Sequence, residues 1–142
     1  MLKIRPSQFE AFRDVADAAF ARRVAAHLRE NNAEDVVKLP SGELALDELD
    51  DETLLRLVRA GVERARAYGM ESESSLTAFV VLTFAVAPNF DAHPLIRRVL
   101  EDASIAPDLR LSELWGRTNE ENWQAAADAY DPAAWGLPDV ER

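Results

Sequence analysis

The chain has no cysteine among its 142 residues. This excludes a disulfide framework, a thiolate nucleophile, an iron–sulfur cluster and any zinc site built on Cys. Glycine is scarce, with five widely separated residues, so the sequence carries neither Gly-x-Gly-x-x-Gly nor a Walker-type phosphate loop. Histidine occurs only as His27 and His93, and no His-x-x-x-His or His-Glu-x-x-His pair offers zinc two ligands from one helical face. Positive charge is also in deficit: 16 Lys+Arg face 26 Asp+Glu, a net charge of −10. Phosphate backbones are bound by basic surfaces, so nucleic acid is not the expected partner. No stretch approaches the ~20 apolar residues that cross a bilayer. The opening MLKIRPSQFE lacks the apolar core of a secretory signal. A cytoplasmic protein is the expectation.

What is present is apolar material in helical periods. Hydrophobic residues make up 48% of the chain, enough at this length for one core that needs no metal or disulfide. Over residues 6–30, Phe9, Phe12, Val15, Phe20, Val24 and Leu28 recur at steps of three and four, which is one helical face. Pro6 suits its first turn, and Ser7 with Glu10 forms a capping-box pattern. From 33 to 51 the period breaks around Pro40-Ser41-Gly42. Two short apolar pieces there allow a small hairpin near 36–46, but an irregular excursion is the favoured reading. A second helix begins near Asp50, runs to Tyr68 and ends on Gly69 as a left-handed cap. Within it Gly61 costs about 1 kcal/mol relative to alanine, which implies a close approach by another backbone. Residues 76–87 read LTAFVVLTFAVA without a charge, the pattern of a helix buried on all sides. This is the expected central helix, at about 73–87. A short helix opens at Pro94. The last helical segments carry Leu111, Leu114 and Trp115, then, beyond a capping box of Thr118 with Glu121, Trp123, Ala126 and Tyr130. The sequence thus predicts an all-α fold, a single compact bundle of five to six helices, with a helical domain over 1–131 and a short tail over 132–142.

Candidate chemistry is thin. His27 stands in an Arg-rich stretch, a surface position. His93 precedes Pro94, where a cap or hinge contact is the expected role. Carboxylates cluster at Asp47, Glu48, Asp50, Asp51 and Glu52, without the alternating spacing and central glycine of an EF-hand loop. No Gly-x-Ser-x-Gly nucleophile motif occurs. No cofactor, metal or catalytic residue is therefore expected. The alternative of another class is an enzyme whose site is assembled from dispersed carboxylates and His93. All three tryptophans, Trp115, Trp123 and Trp135, lie in the acidic C-terminal region. Tryptophan is enriched among interface anchors, and acidic surroundings steer basic partners. In the plainer reading Trp115 and Trp123 are core and Trp135 only pins the tail; in the other the stripe is an interface, with Trp135 the indole that meets a partner. The expected partner-binding residues are Asp47, Glu48, Asp50, Asp51, Arg59, Trp123, Tyr130 and Trp135.

Four stretches together, IRPSQFEAF, FARRVAAHLREN, LVRAGVERARAYGM and FVVLTFAVAPNFDAHPLIRRVLED, resemble a group of small acidic helical bacterial proteins. Members of that group are encoded near secreted toxins and PAAR-like spike-tip proteins of type VI-type secretion systems. The resemblance spans about two-thirds of the chain and brings no active-site residues with it. It implies a non-catalytic partner of a secreted effector: an immunity-like protein that masks a cognate, basic toxin or, alternatively, an adaptor or chaperone that loads an effector onto the spike.

The charge is unevenly distributed. Residues 1–70 carry 11 positive and 13 negative groups, net −2, while 71–142 carry 5 and 13, net −8. A partner is expected at the acidic connection over 34–52 or at the Trp-bearing C-terminal region.

Overall fold

The computed structural model describes residues 6–137, with side chains described from residue 16 onward. The capping pattern of Ser7 with Glu10, the apolar positions Phe9 and Phe12, and the last five residues lie outside the described side chains. Among the described residues six α-helices form in chain order: α1 (Pro6–Asn31), α2 (Asp51–Ala67), α3 (Glu73–Ala85), α4 (Pro94–Leu100), α5 (Arg110–Arg117) and α6 (Glu120–Asp128). Between α1 and α2 lies a two-stranded antiparallel sheet of β1 (Val36–Leu39) and β2 (Gly42–Ala45).

The sheet corrects the all-α expectation and replaces the irregular excursion. Leu39 pairs with Gly42 and Val37 with Leu44, so Pro40-Ser41 is a two-residue hairpin loop, with Gly42 at a positive φ of 145°. Alternation along β1 buries Val37 completely and exposes Val36 and Lys38, which fixes the register. The loop ends are also tied: the Leu46 amide donates to the Asp35 carbonyl at 2.8 Å, and that of Asp47 to Ala33 at 3.0 Å. Leu46 then inserts fully into the core.

Local chemistry sets the helix ends. Asp50 caps α2 by accepting from the Thr53 amide at 3.1 Å, and Ser72 caps α3 by accepting from Ser75 at 3.2 Å. At the end of α2, Gly69 takes a φ of +96°. Its amide donates to Arg66 and that of Met70 to Ala65, the pair of bonds that closes a helix through a left-handed residue. Pro94 opens α4 behind His93. The cap of α6 is Asn119, not Thr118: the Asn119 and Asn122 side chains each accept from the other's amide at 2.9 Å. Thr118 instead donates to the Leu114 carbonyl at 2.6 Å.

Helices α1 and α2 run antiparallel, as two ionic contacts show. Arg66 holds Asp17 through two bonds of 2.9 and 3.0 Å. Arg29 reaches the Asp51 carboxylate and the Leu49 carbonyl, both at 2.8 Å. Helix α3 crosses α2 at Gly61, where a Cβ would stand 3.1 Å from Val80 Cγ2 and 3.8 Å from Val80 Cα. The close approach expected at Gly61 is thus made by α3.

Leu76, Phe79, Val80 and Phe84 of α3 are buried in the core. The opposite side of this helix is not covered: Ala78 and Ala85 are exposed, and Thr77 and Val81 are half-buried. Enclosure of α3 on all sides is therefore corrected. An uncharged sequence favours burial of the whole helix, but α1, α2 and α5 leave one side open.

A buried polar junction joins α2 to the segment before α4. The Asp91 side chain, on a residue 5% exposed, accepts from the Tyr68 hydroxyl at 2.6 Å and from the Arg64 guanidinium. Arg64 also donates to the Pro88 carbonyl. Burial, followed by the Asp91 carboxylate, pushes the Tyr68 hydroxyl up to about 12. Arg110 ties the start of α5 to this region by donating to the carbonyls of Ile105, Tyr68 and Leu100 at 2.8 to 3.1 Å. Among the described residues no helix is long and apolar enough to cross a membrane.

Candidate functional site

The uncovered side of α3 is one wall of a groove of about 790 Å³. Ser74, Thr77, Ala78 and Val81 form this wall, and Leu111, Ser112 and Trp115 of α5 form the other. Glu73 and Asp108 line the end nearest the start of α3, and His27 of α1 also lines the groove. Among the described residues no lysine or arginine lines the groove. The short side chains on α3 leave its backbone approachable.

Trp115 dominates this surface, with 59% of its area exposed. Its orientation follows from an aromatic chain leading inward. The Trp115 ring stacks on Trp123 at 5.2 Å and 29°, and Trp123 stacks on Phe90 at 6.3 Å. Phe90 meets Phe79 at 4.9 Å, and Phe79 meets Tyr68 at 5.9 Å. The Trp123 indole N–H donates to Thr118 Oγ1 at 2.9 Å, which sets the plane against which Trp115 rests. Leu109, 58% exposed, lies on the turn just before α5.

Electrostatics at the groove end are set by backbone amides. Asp108 Oδ1 accepts from the amides of Glu71 and Ser72 at 2.9 and 3.1 Å. These bonds hold its carboxyl below the usual range, because they favour the charged form. Glu73 pairs with Arg23 at 2.8 Å between two well-exposed side chains. The contribution of such a pair to stability is small.

The structure makes Trp135 the pin of the chain end and exposes Trp115. Trp135, read as the indole that meets a partner, is only 4% exposed. Its ring lies tilted against Phe84 at 4.8 Å, and its N–H donates to the Lys38 carbonyl and the Tyr130 hydroxyl at 3.0 and 3.1 Å. A core contact contributed by α3 and a strand far away in sequence accounts for this burial. Pro132–Trp135 therefore packs onto the domain as a 3-10 turn, where the sequence suggested a tail. Trp115, read as core, is exposed. Trp123 is half-buried behind it.

The remaining sequence-predicted residues fall into three places. Tyr130 is half-buried, and its hydroxyl accepts from the Lys38 amide at 2.9 Å. Together with Trp135 it covers the outer edge of β1. The acidic group is exposed but structurally engaged. Asp47 and Asp51 accept from Arg29, Glu48 accepts from the Ala45 amide at 2.8 Å, and Asp50 is the α2 cap. The Thr53 bond holds the Asp50 carboxyl below its ordinary range. Arg59 is exposed on α2, between shallow depressions shared with Glu63. None of these residues lines the α3/α5 groove.

His93 does not line it either. Its Nδ1 accepts from the Leu95 amide at 3.2 Å, an N-terminal cap for α4. Among the described residues, no group of three or more His, Asp or Glu side chains is placed to hold a metal ion. The comparisons with family models, curated proteins and solved structures found no match to the chain.

Proposed function

We propose that this chain is a non-catalytic protein-binding domain that takes its partner in the α3/α5 groove. One observation carries the reading: a tryptophan held in place by stacking stands 59% exposed beside an apolar groove of about 790 Å³. Exposed tryptophan beside a concave apolar surface is the usual composition of an energetic centre in a protein interface. A ring already fixed by its neighbours loses little freedom on binding. The net charge of −10 supports rapid capture of a basic partner.

The resemblance drawn from the sequence makes the partner a secreted toxin or effector. In this reading the protein is an immunity-like factor that masks the cognate toxin. Loading of an effector onto a secretion spike is the alternative role. The engagement of His93 as a cap supports binding over a catalytic site of dispersed carboxylates.

Affinity capture from the native host, with the wild-type chain and Trp115→Ala in parallel, tests this. The expected outcome is recovery of a toxin or effector by the wild type and its loss from the variant. Co-expression with the recovered protein then separates the roles, because an immunity-like factor rescues growth and an adaptor does not. Failure of the wild type to retain any toxin, effector or spike protein would overturn the reading.

A further inference from the structure

We infer that the occupant of the groove is a helical segment of the partner, with bulky apolar side chains along one face and a lysine or arginine directed at the Glu73–Asp108 end. The inference rests on the protein-binding reading above and specifies the chemistry of what is bound.

Helical form follows from the walls. Both walls of the groove are side chains of helices, α3 and α5, which offer no strand edge for an extended segment to pair with. An extended segment laid there would leave its amides and carbonyls facing apolar surface without partners, at a cost of about 1–3 kcal/mol for each one buried. A helix arrives with these groups already paired and needs only an apolar face to dock. Ser74, Thr77 and Ala78 keep the α3 wall low enough for close packing of a second helix. Trp115 then covers the docked helix from the α5 side.

The polarity follows from the charges. Among the described residues Glu73 and Asp108 are the acidic groups in the lining, and both stand at the end near the start of α3. Asp108 stays anionic through the Glu71 and Ser72 amides. Among the described residues Glu73 is paired with the exposed Arg23, which a partner cation can replace. A carboxylate on the incoming helix would meet two like charges there.

Synthetic peptides of roughly 18 residues, long enough to sustain a helix, provide the probe. One is an amphipathic leucine–alanine helix with lysines at one end. The second carries glutamate in place of lysine. The third is the lysine peptide with a central proline. The lysine peptide is expected to bind the full chain at least about tenfold more tightly than either control, and Ala78→Gln to weaken it by about tenfold or more. Glutamine is a good helix former and Ala78 is exposed, so this variant folds. Glu73→Gln is expected to weaken the lysine peptide by about two- to fivefold and leave the glutamate peptide no weaker.

Equal binding of the helical and proline peptides, equal binding of the lysine and glutamate peptides, or indifference to Ala78→Gln would overturn the inference. Capture of a native partner that the lysine peptide does not compete away would overturn it while leaving protein binding intact. Absence of any native partner would overturn the protein-binding reading itself.

Discussion

The indole N–H of Trp135 donates to the carbonyl of Lys38 at 3.0 Å, joining the last described turn of the chain to a hairpin strand 97 residues earlier. The same indole bonds the Tyr130 hydroxyl, which in turn accepts from the Lys38 amide. Both outward-facing main-chain groups of Lys38 are thereby satisfied by aromatic side chains.

Truncation of this ring should be severe. Trp135→Ala removes a buried indole and its packing against Phe84, an expected loss of about 3–5 kcal/mol in unfolding free energy. Trp135→Phe keeps most of the packing and removes the hydrogen bonds, for an expected loss nearer 1–2 kcal/mol. Urea unfolding followed by far-ultraviolet circular dichroism gives both values. Equal stability of wild type and Trp135→Ala would contradict the placement of this residue.

Gly61 and Val80 should be energetically coupled. Alanine at 61 gains about 1 kcal/mol of helix propensity, but its Cβ would sit 3.1 Å from Val80 Cγ2. The expected result for Gly61→Ala is no net stabilisation, and for Gly61→Val a loss of about 1–3 kcal/mol from overpacking. Placed in a Val80→Ala background, Gly61→Ala should become stabilising. A double-mutant cycle is the measurement, with a coupling of at least about 0.5 kcal/mol expected.

Alkaline stability should carry the signature of Tyr68. Its folded-state value of about 12 lies above the ordinary 10, so the folded chain holds this proton more tightly than the unfolded chain does. The contribution is complete below pH 10 and is lost as pH rises from 10 through 12. Tyr68→Phe should show a shallower decline across that interval. Ultraviolet titration of the tyrosinates should lose its latest-titrating component, or a part of it, in the same variant.

Removal of the Asp91 carboxylate should be more costly than removal of any exposed acid. Asp91→Asn leaves Arg64 without its partner and weakens the acceptor for Tyr68, an expected loss of about 2–4 kcal/mol. Arg64 is partly open to solvent, which keeps the figure below that of a fully enclosed charge. Glu73→Gln, which breaks an exposed pair, should change stability by less than about 1 kcal/mol. Thermal unfolding of the two variants side by side makes the comparison.

Trp115→Ala should separate binding from folding. Its exposure predicts a stability change within about 1 kcal/mol, together with loss of partner capture. Acrylamide quenching should fall markedly when Trp115 is replaced by phenylalanine and should not fall when Trp135 is.

What was legible in the sequence was local. Gly69 marked a helix end because left-handed backbone favours glycine, and Pro94 marked a start because its missing N–H is not needed there. Gly61 announced a close crossing because an interior glycine has no local reason to be in a helix. The hairpin was harder to read: four-residue strands carry too little alternation to distinguish them from a loop, and Val37 and Leu46 settle the matter only by entering a core formed elsewhere. The tryptophans were illegible for a similar reason. In α5, Leu111, Leu114 and Trp115 all fit one helical face, and the helix ends before another turn could separate them. Trp135 follows Pro-Ala-Ala and precedes glycine, and its burial depends on Phe84 and Lys38, both remote in sequence. The groove required knowing that three helices leave one side of an uncharged fourth uncovered.

The stacking of Trp115 on Trp123 gives the molecule an optical property of its own. Two indoles with ring centres 5.2 Å apart and planes inclined by 29° are close enough to couple their excited states, so a bisignate band in the circular dichroism is the expected signature of the pair, lost in Trp115→Phe. The sign and strength of that band depend on the angle between the rings. Any occupant that turns Trp115 rewrites the spectrum without a label, an engineered residue or a change in helix content. The unmodified protein is in this sense its own reporter.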